Sequence, residues 1–255
     1  MQEIRLFKIK IHPLSKSDFL NFIQKNLKEG NQIIQHGINA ASINEFFYNE
    51  ELTKAYNNSD LINIDGMSVV WALRFLSFNV PERVACPDLA DDILKIAEKN
   101  NYGVFLFGAK EDSLTLCIQK IAESYPELRL LGYRNGYYKT FEEPQIVDMI
   151  NRSNPDILFL GMPSPKKELF VEKYKDRLNA KYILGVGGYF DILSGITKRA
   201  PNWIQNIGME WFYRFAQEPR RMWRRYLIGN LKFILLVIKE KLKSIKHPPY
   251  GIIQE

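Results

Sequence analysis

Cysteine and histidine are scarce in this chain. In 255 residues there are two cysteines, Cys86 and Cys117, and three histidines, His12, His36 and His247. No CxxC pair occurs, and neither residue type recurs at ligand spacing, which excludes a zinc ribbon or finger and leaves no metal site expected. Asp-x-Asp is missing, which weakens any scheme in which a metal ion holds a nucleotide diphosphate. There is no P-loop, and GVGGYF (185–190) falls short of G-x-G-x-x-G, so the usual dinucleotide fingerprint is absent. No apolar run approaches the roughly 20 residues of a spanning helix. The best candidate, YLIGNLKFILLVI (226–238), is interrupted by Asn230 and Lys232 and reads as an amphipathic or partly buried helix. The opening MQEIRLFKIKIHPLS alternates polar and apolar residues and lacks the apolar core of a signal peptide. A cytoplasmic location is therefore expected.

What the chain does have is a lopsided charge. Residues 196–255 hold 12 Lys and Arg against 4 Asp and Glu, or +8, while residues 1–195 hold 23 against 25, or −2. Three of the four tryptophans, Trp203, Trp211 and Trp223, lie in that last segment. Arginine interleaved with tryptophan and tyrosine suits a surface that meets phosphates at a membrane–water boundary. The bland alternative is a solvated helix face, but six arginines against two acids between Ile196 and Leu227 favour the interfacial reading. A nucleic-acid-binding tail is a further reading, one that predicts steep salt dependence and indifference to lipid. The organisation expected is a body, 1–195, and a basic, aromatic appendage, 196–255.

Within the body, strand and helix patterns alternate. Strands are expected at 4–11, 32–38, 60–65, 103–108, 128–133, 156–161 and 181–188. Helices are expected from Ser15 to Gly30, from Ser42 as N-cap, after Gly66, from Pro87 to Asn101, from Glu111 to Tyr125, from Glu142, and from Pro165 at a first helical turn. This order predicts an α/β fold with a mostly parallel sheet and helices on both faces. Several strands end alike, in Asp65-Gly66, Gly108-Ala109-Lys110, Gly161-Met162-Pro163 and Gly185-Val186-Gly187-Gly188. Ligands of such sheets bind outside the carboxyl ends of the strands, and glycine there permits close backbone approach.

Each candidate has a structural reading beside the functional one. Asp65 is either an N-cap for the helix at Met67 or a general base in the crevice. Asp191 carries the same ambiguity and leans towards structure. Arg83 and Asp88 flank PERVACPD and form either a salt bridge or part of the site. Lys198, Arg199 and Arg214 are solvated charges or phosphate ligands. Pro219 should break the appendage helix near Glu218, after which Arg220, Arg221, Arg224 and Arg225 share one broad face. A nicotinamide-dependent oxidoreductase is the competing enzyme class, and the missing fingerprint argues against it.

The stretches INAAS (38–42), DLINIDGMSVVWA (60–72), PERVACPDL (81–89), VFLFGAK (104–110), LGYRNGYY (131–138), PDILFLGMPSPKKE (155–168), the long LGVGGYFDILSGITKRAPNWIQNIGMEWFYRFAQEPRR (184–221) and WRRYL (223–227) together resemble the WecG/TagA/CpsF glycosyltransferases. The resemblance implies an inverting hexosyltransferase that moves a hexose or N-acetylhexosamine-type sugar from a UDP-sugar to a polyprenyl-diphosphate-linked saccharide. It implies bacterial surface polymers (teichoic acid linkage units, enterobacterial common antigen, capsule, exopolysaccharide). It implies a Rossmann-like fold with an appendage that meets the inner face of the cytoplasmic membrane and completes the site; no metal and no cofactor are expected, because Asp-x-Asp is absent and the histidines are dispersed. A homo-oligomer is left open and no nucleic-acid partner is implied. Carried over by motif, Asp65 is the base, with Arg83, Arg214, Arg221 and Arg224 as catalytic cations. Asn39, Gly66, Asp88, Gly108, Gly136, Gly161, Lys167, Gly185, Gly187, Gly188, Tyr189, Asp191 and Arg199 are expected to bind substrate. Two positions depart from the family pattern: Lys167 stands where glutamine is usual, and Cys86 where the PERVACPD loop usually has glycine.

Overall fold

In the computed structural model the described residues are 2–246, with the backbone alone described for Asn206, Arg221 and 244–246. The chain begins with a hairpin, β1 (Ile4–Leu6) and β2 (Ile9–Ile11), where one strand over 4–11 is expected. Phe7 and Lys8 both take positive φ, 54° and 71°, and reverse the chain in a two-residue turn without glycine. Ser15 caps α1 (Lys16–Glu29) in a reciprocal pair with Asp18, and Gly30 ends it in the left-handed conformation. Then follow β3 (Ile33–Ile38), α2 (Ala40–Glu45), α3 (Glu50–Asn58), β4 (Leu61–Ile64), α4 (Met67–Phe75) and α5 (Cys86–Lys99). Asn39 rather than Ser42 is the N-cap of α2; its Oδ1 accepts from Ala41 and Ser42, and Ser42 returns the bond as the third helical residue. The body continues with β5 (Gly103–Gly108), α6 (Glu111–Ser124), β6 (Arg129–Arg134), α7 (Glu143–Ser153), β7 (Ile157–Gly161), α8 (Lys166–Tyr174), β8 (Tyr182–Gly185) and α9 (Tyr189–Leu193).

Six of these strands form one parallel sheet in the order β4-β3-β8-β7-β5-β6. Alternate strand residues serve opposite faces, as the period of two requires. Val104, Leu106, Ile157, Phe159, Tyr182 and Leu184 pack with α1, α5, α6 and α9. Phe105, Phe107, Leu158, Leu160 and Ile183 pack with α7 and α8. At the β4 edge that second face continues into α2, α4 and the β1–β2 hairpin. The connection from β5 runs outward to β6, whereas that from β7 returns to β8, so the chain diverges between β5 and β7. All the strand ends singled out in the sequence lie on the carboxyl edge of this sheet.

The appendage comprises α10 (Asn202–Asn206), α11 (Glu210–Gln217), α12 (Pro219–Trp223), a wide helical turn over Arg224–Ile228, and α13 (Gly229–Lys246). Pro219 interrupts the helix after Gln217, as expected. The appendage is joined to the body by a shared core. Phe233 and Val237 of α13 are buried with Ile4, Phe7, Ile43 and Leu73, and the Phe233 ring lies 6.0 Å from that of Phe7. Asn44 of α2 donates to Gly229 O at 2.7 Å. Among the described residues no helix is long and apolar enough to cross a membrane.

Candidate active site

Asp65 follows β4 directly, and its N–H and that of Gly66 both donate to Ile38 O at 3.0 Å, which ties the ends of β3 and β4 together. The carboxylate does not cap α4. Gly66 is the N-cap there and offers no side chain. Asp65 Oδ1 instead accepts the N–H of Cys86, the first residue of α5, at 2.8 Å. Oδ2 makes no hydrogen bond among the described residues and is left for another proton. Asn39 stands against Gly66: a Cβ there would lie 2.9 Å from Asn39 Cβ, so glycine is required for the two loops to meet. Beneath them, Gly37 leaves room for the Cys86 side chain, whose Sγ would collide with any Cβ at position 37. The loop before α5 is pinned by a buried polar chain. Tyr182 donates to Gln35 at 2.8 Å, Gln35 to Asn63 at 3.0 Å, and Asn63 to Val84 O at 2.7 Å. Every link is satisfied, as burial demands.

The cations come from two directions. Arg83, from the loop before α5, donates to Glu210 Oε2 at 2.9 Å. Arg199 donates to Glu210 Oε1 at 3.1 Å and holds both oxygens of Asp88 in a bidentate pair. Arg83 and Asp88 therefore do not pair with each other; Glu210 of α11 and Arg199 each take one of them. One turn along α11, Arg214 lies on the same side of the helix as Glu210. Its Nη2 would stand 3.1 Å from a Cβ on Gly188, and its buried Nε has no hydrogen-bond partner among the described residues. Arg214 thus brings a guanidinium to the GVGG turn that has no ion-pair partner among the described residues. Gly187, with φ at 56°, has open space where a side chain would project. Arg224 is exposed, its guanidinium 5.2 Å from the Trp223 ring centroid. The Arg221 side chain lies outside the described residues.

Lys167 is buried, and its stem crosses Gly185, where a Cβ would meet Lys167 Cε at 2.9 Å and His36 Nδ1 at 3.2 Å. Its ammonium donates to Glu168 Oε1 at 2.5 Å, and that oxygen also accepts from Tyr56 at 3.1 Å. Burial opposes the charge of Glu168, yet the adjacent Lys167 ammonium holds the carboxyl below the ordinary range. His36 is pushed down to about 4 by its burial.

Several expected ligand residues also have partners within the fold. The Tyr189 hydroxyl is turned into the core and donates to Asp91 of α5, because its ring packs under the sheet edge. Asp191 accepts from Ser113 of α6 and holds the turn after α9 through its carbonyl. Gly108 and Gly161 lie back to back, with Ala109 N–H on Gly161 O at 2.8 Å, so the close approach is strand to strand. Gly136 has both backbone groups committed, its N–H to Ala109 O and its carbonyl to Lys166. What the fold brings together is Asp65, Gly66 and Asn39 at one end of the crevice, Lys167 with Gly185 and Gly187–Gly188 beside them, and Arg214 above. The Arg83–Glu210–Arg199–Asp88 network joins the appendage to the rim. Sequence reading missed Glu210. Its signal was that of an acid opening a helix in an otherwise basic segment.

A parallel sheet whose carboxyl edge is rich in glycine and is approached by a carboxylate and an arginine is the place where α/β folds bind ligands. The model of the glycosyl transferase WecG/TagA/CpsF family matches residues 4–247, and the chain belongs to that family. The chain is 34% identical over 185 residues, 72% of its length and 71% of the relative's, to an N-acetylglucosaminyldiphosphoundecaprenol N-acetyl-beta-D-mannosaminyltransferase of Bacillus subtilis (strain 168). Proteins of the same description from Bacillus spizizenii and Staphylococcus aureus (strain MW2) are each 30% identical. They cover 83% and 74% of this chain and 80% and 74% of their own lengths.

Proposed function

We propose that the protein transfers an N-acetylhexosamine-type sugar, with inversion, from a UDP-sugar to a saccharide carried on a polyprenyl diphosphate at the inner face of the cytoplasmic membrane. The observation that carries this reading is that Asp65, whose Oδ2 has no hydrogen bond among the described residues, and the Gly187–Gly188 turn, which Arg214 approaches, lie on the same carboxyl edge of the sheet. The relatives' acceptor, a diphosphate-linked N-acetylglucosamine on undecaprenol, supports the acceptor class.

In this scheme Asp65 Oδ2 takes the proton of the acceptor hydroxyl as that oxygen attacks the anomeric carbon. The bond from the anomeric carbon to the β-phosphate oxygen breaks, and UDP leaves with the electron pair. The Cys86 N–H holds Oδ1 and leaves Oδ2 for the acceptor's proton. Arg214 supplies positive charge where the leaving diphosphate gains it. Among the described residues no group of three His, Cys, Asp or Glu side chains is placed to hold an ion. The scheme therefore asks the arginines to carry the charge.

The deciding experiment is a panel of UDP-sugars with a short-chain polyprenyl-diphosphate N-acetylglucosamine, with and without EDTA, the product being read by mass spectrometry. UDP release with one added sugar on the lipid, unchanged by EDTA, is expected. No product from any donor would refute the reading. Activity lost to EDTA and restored by magnesium or manganese would refute the metal-free scheme.

A further inference from the structure

Helix α4 starts two residues after Asp65, and its two faces differ. Val69, Val70, Ala72 and Leu73 are buried, while Trp71 and Phe75, four residues apart, remain 43% and 56% exposed. The helix contains no acidic residue; its one charge is Arg74. Both exposed rings abut the appendage. Trp71 packs on the turn between α10 and α11, where a Cβ at Gly208 would lie 2.6 Å from its Cζ2, and the neighbouring Ile207 is exposed. At the other end of α4, the Lys241 ammonium of α13 stands 5.4 Å from the Phe75 ring centroid and 3.4 Å from Ser77 Oγ. The outward side of α13 carries exposed Leu231, Ile234, Leu235, Ile238 and Leu242. Trp71 and Phe75 thus join two apolar patches of the appendage into one surface.

The charge on this surface is of one sign. Arg224, Arg225, Lys232 and Lys239 are exposed or border it. Of the nearby acids, Glu210 is turned to Arg83 and Arg199, and Glu240 is buried against Lys243. A second copy would bring like charges face to face, whereas an anionic bilayer complements both the apolar and the cationic character.

We propose that α4 of the catalytic body, and not the appendage alone, enters the lipid interface through Trp71 and Phe75. This rests on the lipid-linked acceptor reading and adds to it a geometry for the base. At about 1.5 Å per residue the nine residues of α4 span about 14 Å, so Asp65, directly before the helix, lies within about that distance of both rings along its axis. An acceptor diphosphate lying in the headgroup layer is then presented to the base by the same helix that touches the membrane.

The test is flotation of the full chain with vesicles of phosphatidylcholine containing about a quarter phosphatidylglycerol. Phe75→Ser should lower the partition constant by about fivefold or more and Phe75→Trp should restore it, with the thermal midpoint unchanged. Transfer to a lipid acceptor in vesicles should fall with binding, while transfer to a water-soluble acceptor analogue stays at the wild-type level. A nitroxide on Phe75→Cys, the native Cys86 and Cys117 being buried, should report contact with acyl chains. Wild-type binding by Phe75→Ser together with a water-exposed nitroxide would overturn the proposal while leaving the appendage as the anchor. Failure of the wild-type chain to bind any vesicle, with sugar transfer intact, would overturn it without touching the reaction. A wild-type dimer that Phe75→Ser dissociates would make this face a self-interface and overturn it as well.

Discussion

Arg83 Nη1 donates to Glu210 Oε2 at 2.9 Å, across 127 residues of chain, and this pair fastens the appendage to the rim of the crevice. Because Glu210 and Arg214 are four residues apart on α11, fixing one fixes the other over Gly188. Glu210→Gln keeps the shape but weakens two charge-assisted bonds. Turnover should fall by about tenfold or more, and backbone hydrogen exchange in α11 should quicken. Unchanged exchange with unchanged turnover would remove Glu210 from this role.

Asp65→Asn retains an oxygen for the Cys86 N–H, so folding and the seat of α5 should persist. The variant loses the proton acceptor. Turnover should drop by roughly a hundredfold or more, while UDP affinity by calorimetry stays within a few-fold. Turnover near the wild-type level would leave Asp65 only its tie to α5.

Arg214→Gln removes a cation with no ion pair to lose among the described residues. The thermal midpoint should therefore hardly move, whereas turnover should fall by about tenfold or more. Vesicle binding should fall only modestly, since one charge among the 12 of residues 196–255 is removed. Proportional loss of binding and turnover would make Arg214 an anchor only.

His12 and His36 are both held at about 4, in each case chiefly by burial, against an ordinary 6.5. Above pH 6.5 both are neutral whether the chain is folded or not, and they contribute no pH dependence. Between 6.5 and about 4 the unfolded chain binds protons that the folded one excludes, so stability falls as pH falls. At 1.36 kcal/mol per unit the loss approaches about 3 kcal/mol for each group. Urea midpoints measured from about pH 7 to about pH 4.5 should show this decline. His36→Gln, where Nδ1 has no partner to lose among the described residues, should make it shallower; an unaltered slope would show that His36 does not titrate on unfolding.

The alternation of strand and helix patterns was enough to predict a parallel sheet with helices on both faces. Periodicity reports which side of each element is buried, and that depends on residues close in sequence. The basic, aromatic character of the last sixty residues and the Asp65-Gly66 and GVGG strand ends were legible for the same reason. The hairpin turn at Phe7-Lys8 was not, because neither residue advertises a positive φ. Which element ends meet was decided by strand order and docking. Asp65 could be placed on α5 rather than on its own α4 only once β3 and β4 lay side by side and the chain had returned through Val84 to Cys86. Likewise Arg199 finds Asp88 across 111 residues, and Glu210 lies between two arginines, Arg83 and Arg199, that are far apart in the chain. Such pairings follow from where long-range packing brings side chains, and no local pattern encodes that. The departure of Tyr189 and Asp191 into the fold has the same origin: α9 is buried on the face that α5 and α6 cover, and its polar atoms take the partners those helices offer.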